Sequence, residues 1–349
     1  MKTLKRTGPK IKPLGTPPVT ACQPNTSTFV SQQKLVSMAE ENKAFVDEID
    51  KALAKSEGIT LKDLLFSCQG TPYPVTVCSA ETFQALENLE ARRDDMVLVS
   101  YPKCGVNWLI QILNDLIFTT IQSKPVNSEL PFIECGDPDK YQISKKNLLQ
   151  RMKQIPSPRI LATHLNYGFL PKSIFKNKAK ILVLFRNPKD TAVSFFHFHK
   201  NVPSIPSYGS WDEFFSEFMN GKVGWGSYFD HAVTWNKHAE DENTMIVIYE
   251  DLKVNLSSGV KQIAEFFGFS PAVEQIQSIA DRATFQAVKD KAQETHGAVG
   301  TVLFHKGVVG DWKNLFTEAQ NQEMDAKFKA CLEGIKLGAK LKNDVYCKV

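Results

Sequence analysis

Apolar residues fall along this 349-residue chain in two patterns. Four short runs are apolar almost throughout: 96–101 (MVLVSY), 159–163 (RILAT), 180–185 (KILVLF) and 245–249 (MIVIY). Each reads as a strand covered on both faces, because a strand with one face in water would alternate apolar and polar positions. Elsewhere apolar positions recur every three or four residues. That spacing predicts helices over 107–120, 190–200, 211–219, 225–239, 257–267, 272–281 and 318–332. Strands alternating with helices predict an α/β fold: a single domain with a central, mostly parallel sheet and helices on both faces. In such sheets ligands bind beyond the carboxyl ends of the strands, where helices begin. The rule points at residues 101–108, 164–168, 186–194 and 249–252.

The first 37 residues depart from this pattern. They hold five prolines and six basic residues with no acidic one, and read as a disordered, basic N-terminal extension. A helical pattern starts at Met38, ends at Gly58 and opens the folded domain, 38–349. Without the extension, 36 basic residues face 38 acidic ones. So even a balance does not read as a nucleic-acid binder. The apolar runs are far too short to span a membrane, and the N-terminus lacks the hydrophobic segment of a secretory signal. Seven cysteines, at 22, 68, 78, 104, 135, 331 and 347, show no metal-ligand spacing. Their odd number and scatter fit reduced thiols in the cytoplasm.

Chemistry concentrates at the strand ends. YPKCGVNW, 101–108, joins the first predicted strand to a helix. Such a turn aims backbone N–H groups and the positive helix end at one point, where an anion binds. Lys103 adds a mobile cation, Gly105 permits close approach, Asn107 can cap the helix or donate to a phosphate, and Trp108 can stack on a planar base. A plain capped turn with a core tryptophan fits the same residues. FRNPKDTAVSFFHFH, 185–199, repeats the arrangement. Arg186 stands where a guanidinium fork can clamp a phosphate, and Ser194 two turns later can reach a second phosphate oxygen. Two basic strand-to-helix turns in one sheet suggest two separated phosphates, as on a nucleotide phosphorylated at 3′ and 5′. His164, just past the strand at 159–163, has the pKa range of a general base. His305, Lys306 and Gly307 form a basic loop able to close over a nucleotide, and Gly310 begins a turn into Asp311 and Trp312.

Together these stretches resemble the cytosolic sulfotransferases, which use 3′-phosphoadenylyl sulfate (PAPS) as donor. YPKCGVNW is similar to that family's Tyr-Pro-Lys-Ser-Gly-Thr-Thr-Trp loop. RNPKDTAVSFFHF resembles its 3′-phosphate segment, THL at 163–165 its catalytic histidine segment, and KGVVGDWKNLFT its C-terminal signature. The likeness runs from about Met38 to the C-terminus and is greatest to the 6B branch. It implies a P-loop-like nucleotide-binding fold and sulfuryl transfer to a hydroxyl without a metal. It implies His164 as general base and Lys103 as the cation on the transferring group. Lys103, Cys104, Gly105, Val106, Asn107 and Trp108 become the 5′-phosphate cradle, with Trp108 at the adenine. Arg186 and Ser194 become 3′-phosphate ligands. Phe229 and Phe285 become adenine neighbours, and His305, Lys306 and Gly307 the closing loop. The acceptor implied is a small hydroxylated aromatic, a phenol or an iodothyronine such as thyroxine. Tyr73, Phe83, Phe132, Tyr167, Phe195 and Phe198 are candidates to line its pocket.

Several residues depart from the commoner family pattern. Cys104 and Val106 replace hydroxyl residues, Ala162 and His305 replace a lysine and an arginine, and Phe229 replaces a tyrosine. These losses leave open a second reading, a catalytically weak or inactive nucleotide-binding relative. Of the family's dimer motif, Lys-x-x-x-Thr-Val-x-x-x-Glu, Lys313 and Thr317 are kept, while Glu318 and Gln322 replace the valine and the glutamate. The resemblance allows a homodimer with a degenerate contact. A nucleotide kinase of the P-loop type is a poorer match, since the chain lacks Gly-x-x-x-x-Gly-Lys-[Ser/Thr].

Overall fold

The four apolar runs form one parallel sheet. In the computed structural model β3 (Met96–Ser100), β4 (Ile160–Thr163), β5 (Lys180–Phe185) and β6 (Thr244–Ile248) lie in the order β4-β3-β5-β6. Every neighbouring pair is parallel. All positions of β3 and β4 are buried, as expected of strands covered on both faces. The structure describes residues 47, 64–122, 131–136, 147–202, 205–292, 296, 300–304 and 306–348, all within the compact unit 41–349. The extension, His305 and nearly all of the helix expected from Met38 lie outside the described residues.

A separate antiparallel hairpin, β1 (Leu65–Cys68) and β2 (Thr71–Pro74), precedes the sheet. A short helix follows, α1 (Ala80–Leu86). These elements were not legible as periodic runs, since the hairpin strands have four residues each and β2 carries Pro72 and Pro74.

The helices that follow the sheet strands place the site. After β3 comes α2 (Val106–Ile121), which buries Trp108, Leu109, Ile112, Leu113, Leu116 and Ile117 along one stripe. Next is α3 (Leu148–Gln154), before β4, and α4 (Lys172–Lys176), before β5. From β5 the chain enters α5 (Pro188–Asn201). Asn187 caps it, accepting from the Asp190 N–H at 2.8 Å, and Pro188 opens the first turn. Then come α6 (Trp211–Met219) and α7 (Tyr228–Asn236), followed after β6 by α8 (Tyr249–Val254), α9 (Leu256–Phe267), α10 (Val273–Arg282) and α11 (Phe285–Asp290). A short α12 (Gly300–Leu303) precedes α13 (Glu318–Leu332).

The path from β3 goes to β4 on one side of it, then to β5 on the other. The connections therefore diverge beyond the carboxyl end of the central strands and open a crevice there. Into it lead the turns after β3, β4 and β5 and the start of α8 directly after β6, the four places expected from the sequence.

Candidate active site

The turn after β3 is built for close approach. Lys103 and Gly105 both have positive φ, 69° and 108°. A lysine in the left-handed region costs about 1–2 kcal/mol, so the surrounding structure must hold it there. Gly105 itself starts α2, with no side chain capping the helix, and a Cβ on it would meet the Tyr249 ring at 2.8 Å. Asn107, one residue past the first of the helix, is therefore not the cap. The uncapped first turn leaves its N–H groups and the helix dipole aimed into the crevice.

Arg186 closes one wall. Its Nη1 donates to the Lys103 carbonyl at 3.3 Å and its Nη2 to the Val308 carbonyl at 2.9 Å. The guanidinium also lies over the Tyr249 ring, 4.6 Å from its centre. Arg186 is only 7% exposed, and its Nε is buried with no hydrogen-bond partner among the described residues. The Tyr228 hydroxyl holds the arginine's own backbone, donating to its carbonyl at 2.7 Å. Burial, then the charge of Arg186, pulls the Lys103 ammonium down to about 7, and the same two causes lower Lys253. Three cations crowded this way, one with an unfilled donor, fit a multiply charged anion.

An aromatic slot adjoins the cations. The Lys253 ammonium lies 5.8 Å from the Trp108 ring and 5.5 Å from the Phe285 ring. Trp108 meets Tyr249 edge-on at 5.3 Å, and its indole N–H donates to the Ala283 carbonyl at 2.6 Å. Gly307 lies against Phe285, close enough that a Cβ would fall 2.0 Å from the ring. The loop carrying Gly307 is docked by Asp190 of α5, whose carboxylate accepts from the N–H groups of Gly310 (2.8 Å) and Trp312 (3.0 Å). Lys306 is turned to Asp311, with Nζ 2.7 Å from Oδ1.

His164 stands just beyond β4. Its Nδ1 lies 2.8 Å from the Ser100 carbonyl. A carbonyl only accepts, so Nδ1 carries the proton and Nε2 keeps its lone pair. Burial pulls the imidazole down to about 4, the Ser100 bond opposes that, and the Lys103 charge adds to it. The ring is flanked by Phe132 at 5.0 Å and, edge-on, by Trp225 at 5.3 Å. Trp225 has φ +63° and an indole N–H with no partner among the described residues. The backbone N–H of His164 donates to Glu134 Oε1 at 2.7 Å.

The structure thus gathers Lys103, Gly105, Trp108, His164, Arg186, Phe285 and Gly307 around one crevice. Cys104 is buried, with Sγ 3.8 Å from the Thr191 hydroxyl, and Val106 is buried beside it in the core. Ser194 is half-buried on α5. Phe229 is buried beside Tyr228, with the Lys327 ammonium of α13 at 5.5 Å from its ring. Of the expected acceptor aromatics, Phe132 touches His164 and Phe198 lies under the Lys103 ammonium at 4.4 Å. Tyr73 and Phe83 pack together at 4.7 Å. Phe195 is buried core, and Tyr167 stacks on His238 at 3.3 Å.

Residues 93–340 match the sulfotransferase domain. The chain belongs to the sulfotransferase family. Human sulfotransferase 6B1 is 60% identical over 311 residues, 89% of this chain and all of that protein. The zebrafish (Danio rerio) sulfotransferase 6B1 is 45% identical over 288 residues, 82% of this chain and 95% of that one. Such relatives place this sulfotransferase in family 6B. Among solved structures, mouse sulfotransferase SULT7A1 complexed with PAP has a TM-score of 0.69 at 34% identity. That match covers 80% of this sulfotransferase and 99% of the mouse chain. Retinol dehydratase in complex with androsterone and PAP, at 19% identity and a TM-score of 0.65, shares the fold over 81% of this chain and 94% of that one.

Four residues beside the crevice carry no mark of that place in the sequence. Tyr249 ends an apolar run in the sequence, and in the structure it opens α8 at the fourth strand end. Lys253 follows it by one helical turn. Trp225 is a buried core residue whose positive φ has no mark in the sequence, and Glu134 lies in a segment without periodicity.

Proposed function

We propose that this enzyme moves the sulfuryl group of PAPS to a hydroxyl of a small aromatic acceptor, a phenol or an iodothyronine such as thyroxine. The observation that carries the reading is the tautomer of His164. With Nδ1–H committed to Ser100, the basic Nε2 shares a sheet edge with an uncapped helix start and the cations Lys103 and Arg186. His164 Nε2 takes the acceptor's hydroxyl proton as the acceptor oxygen bonds to sulfur. The bond from sulfur to the bridging phosphate oxygen breaks, and adenosine 3′,5′-diphosphate (PAP) leaves with that electron pair. The reaction consists of positioning and charge stabilisation, and no metal enters this scheme.

The start of α2 and Lys103 hold the 5′-phosphosulfate in this reading. Arg186 and Ser194 hold the 3′-phosphate, Trp108 and Phe285 the adenine, and the loop at 305–310 closes over it. PAP bound in the related mouse structure supports the donor. Burial is the main cause of the low His164 pKa, and a polyanion beside Lys103 offsets only the smaller contribution of that cation. Phe132 and Phe198 supply apolar walls for the acceptor.

The proposed protein is cytoplasmic, with residues 1–37 as an extension separate from the catalytic domain. Among the described residues no helix is long and apolar enough to cross a membrane. A homodimer through residues 313–322 would use an altered contact: Thr317 caps α13, and Glu318 Oε1 accepts from the Gln322 amide at 2.9 Å. The second reading, a nucleotide-binding relative without turnover, draws on the missing hydroxyls at Cys104 and Val106. Calorimetric titration with PAP followed by a sulfation screen of phenols and iodothyronines separates the two. Binding with turnover supports the enzyme, and binding with none across the panel supports the inactive relative.

A further inference from the structure

The segment 131–136 runs beside β4 as a short parallel ladder. Ile133 N–H donates to the Ala162 carbonyl and Ala162 N–H to the Pro131 carbonyl, each at 2.9 Å. In a parallel ladder the next rung would carry the N–H of His164 to the carbonyl of Ile133. It goes instead to the side chain of Glu134, Oε1, at 2.7 Å. The carboxylate takes the place of a backbone carbonyl at the residue where β4 ends and the chain turns into the crevice. Two residues earlier, Phe132 packs its ring on the His164 ring at 5.0 Å. Glu134 and Phe132 thus hold the histidine from its backbone and from its ring.

We propose that Glu134 is a positioning residue for His164. By capturing the backbone N–H of His164 it stops the ladder and fixes the direction in which the imidazole leaves the strand. The proposal rests on the reading of His164 as the base. Glu134 is 0% exposed, its Oε2 has no hydrogen-bond partner among the described residues, and burial pushes the carboxyl up to about 7 against the opposing pull of the His164 N–H. Arg151, also buried, braces the same segment by donating through Nη2 to the carbonyls of Phe132 (3.1 Å) and Cys135. Nδ1 bonded to Ser100 sets the tautomer, and Glu134 sets the aim. A general base displaced by about 1 Å loses roughly a hundredfold in rate without losing binding.

The test compares Glu134→Gln, which keeps an acceptor oxygen, with Glu134→Leu, which does not. Turnover, PAP affinity by calorimetry and melting temperature are measured on the full chain, with His164→Ala as control. The Leu variant is expected to lose at least about thirtyfold in kcat while PAP affinity stays within about twofold, and the Gln variant to stay within about threefold of the parent. Four results would each overturn the proposal. They are a Leu variant that keeps its kcat, a Gln variant that loses as much as the Leu variant, PAP affinity falling in step with turnover, or a Gln variant alone that folds and is inactive. His164→Ala separates the premises. Turnover retained there removes the base assignment. Turnover lost there but kept in Glu134→Leu removes only the positioning role.

Discussion

Arg186 donates to the carbonyl of Lys103 at 3.3 Å, so one cation is fastened to the backbone of another. Burial, then the Arg186 charge, pulls the Lys103 ammonium down to about 7. Above that pH Lys103 is largely neutral. A polyanion favours its charged form, so donor-site binding at pH 8 takes up protons, and affinity falls as pH rises past 7. Calorimetry of PAP binding at pH 8 in two buffers of different ionisation heat measures the uptake. A net uptake is expected, reduced in Lys103→Met. The difference between parent and variant isolates Lys103 from every other titrating group. Binding without proton uptake would contradict the geometry.

Arg186→Ala is expected to weaken PAP binding by about 10- to 100-fold, since each hydrogen bond between charged groups contributes about 1.5–3 kcal/mol. Its Nε is buried and unfilled, and Tyr228 holds its backbone, so the variant should fold. Unchanged PAP affinity would remove Arg186 from the donor site.

Much of this arrangement was legible in the sequence. The bounds of β5, α6 and α13 coincide with the expected segments 180–185, 211–219 and 318–332. Those segments are long or apolar enough for periodicity to decide. The strand-end rule pointed to three turns and the start of α8, because a parallel sheet puts its ligand edge at the carboxyl ends by construction. What was not legible depends on tertiary contact. Phe229 and Tyr249 are both aromatic residues near the start of a helix, and only packing shows that Tyr249 borders Trp108 while Phe229 faces Lys327. The strain at Trp225 and the interrupted ladder at Glu134 are backbone events with no compositional mark.

The concern raised by Cys104 also changes with the structure. Its sulfur points to Thr191 at 3.8 Å, and burial pushes the thiol up to about 12, so it is an inert packing group. A serine hydroxyl there would bond to Thr191 rather than to a phosphate. Cys104→Ser is therefore expected to change PAP affinity by less than about threefold, an effect under one hydrogen bond. A tenfold gain would show that the missing hydroxyl limits donor binding.

Gly105→Ala is expected to cost more than its size suggests. A φ of 108° strains any L side chain by about 1–2 kcal/mol, and the added methyl meets the Tyr249 ring at 2.8 Å. Moving that ring disturbs Arg186 and Trp108 together. Thermal unfolding and PAP titration should both show the loss, and a variant with parental melting temperature and affinity would contradict the tight turn.

In the proposed mechanism His164 Nε2 removes the acceptor's proton beside a donor held by the helix start, Lys103 and Arg186. The most direct measurement of that step is single-turnover sulfation by His164→Ala, with PAP affinity determined on the same preparation. PAP affinity within about threefold of the parent is expected, with the chemical step slowed by about 10²–10⁴-fold, the range of general-base catalysis. A chemical step left within tenfold of the parent, with PAP still bound, would contradict it.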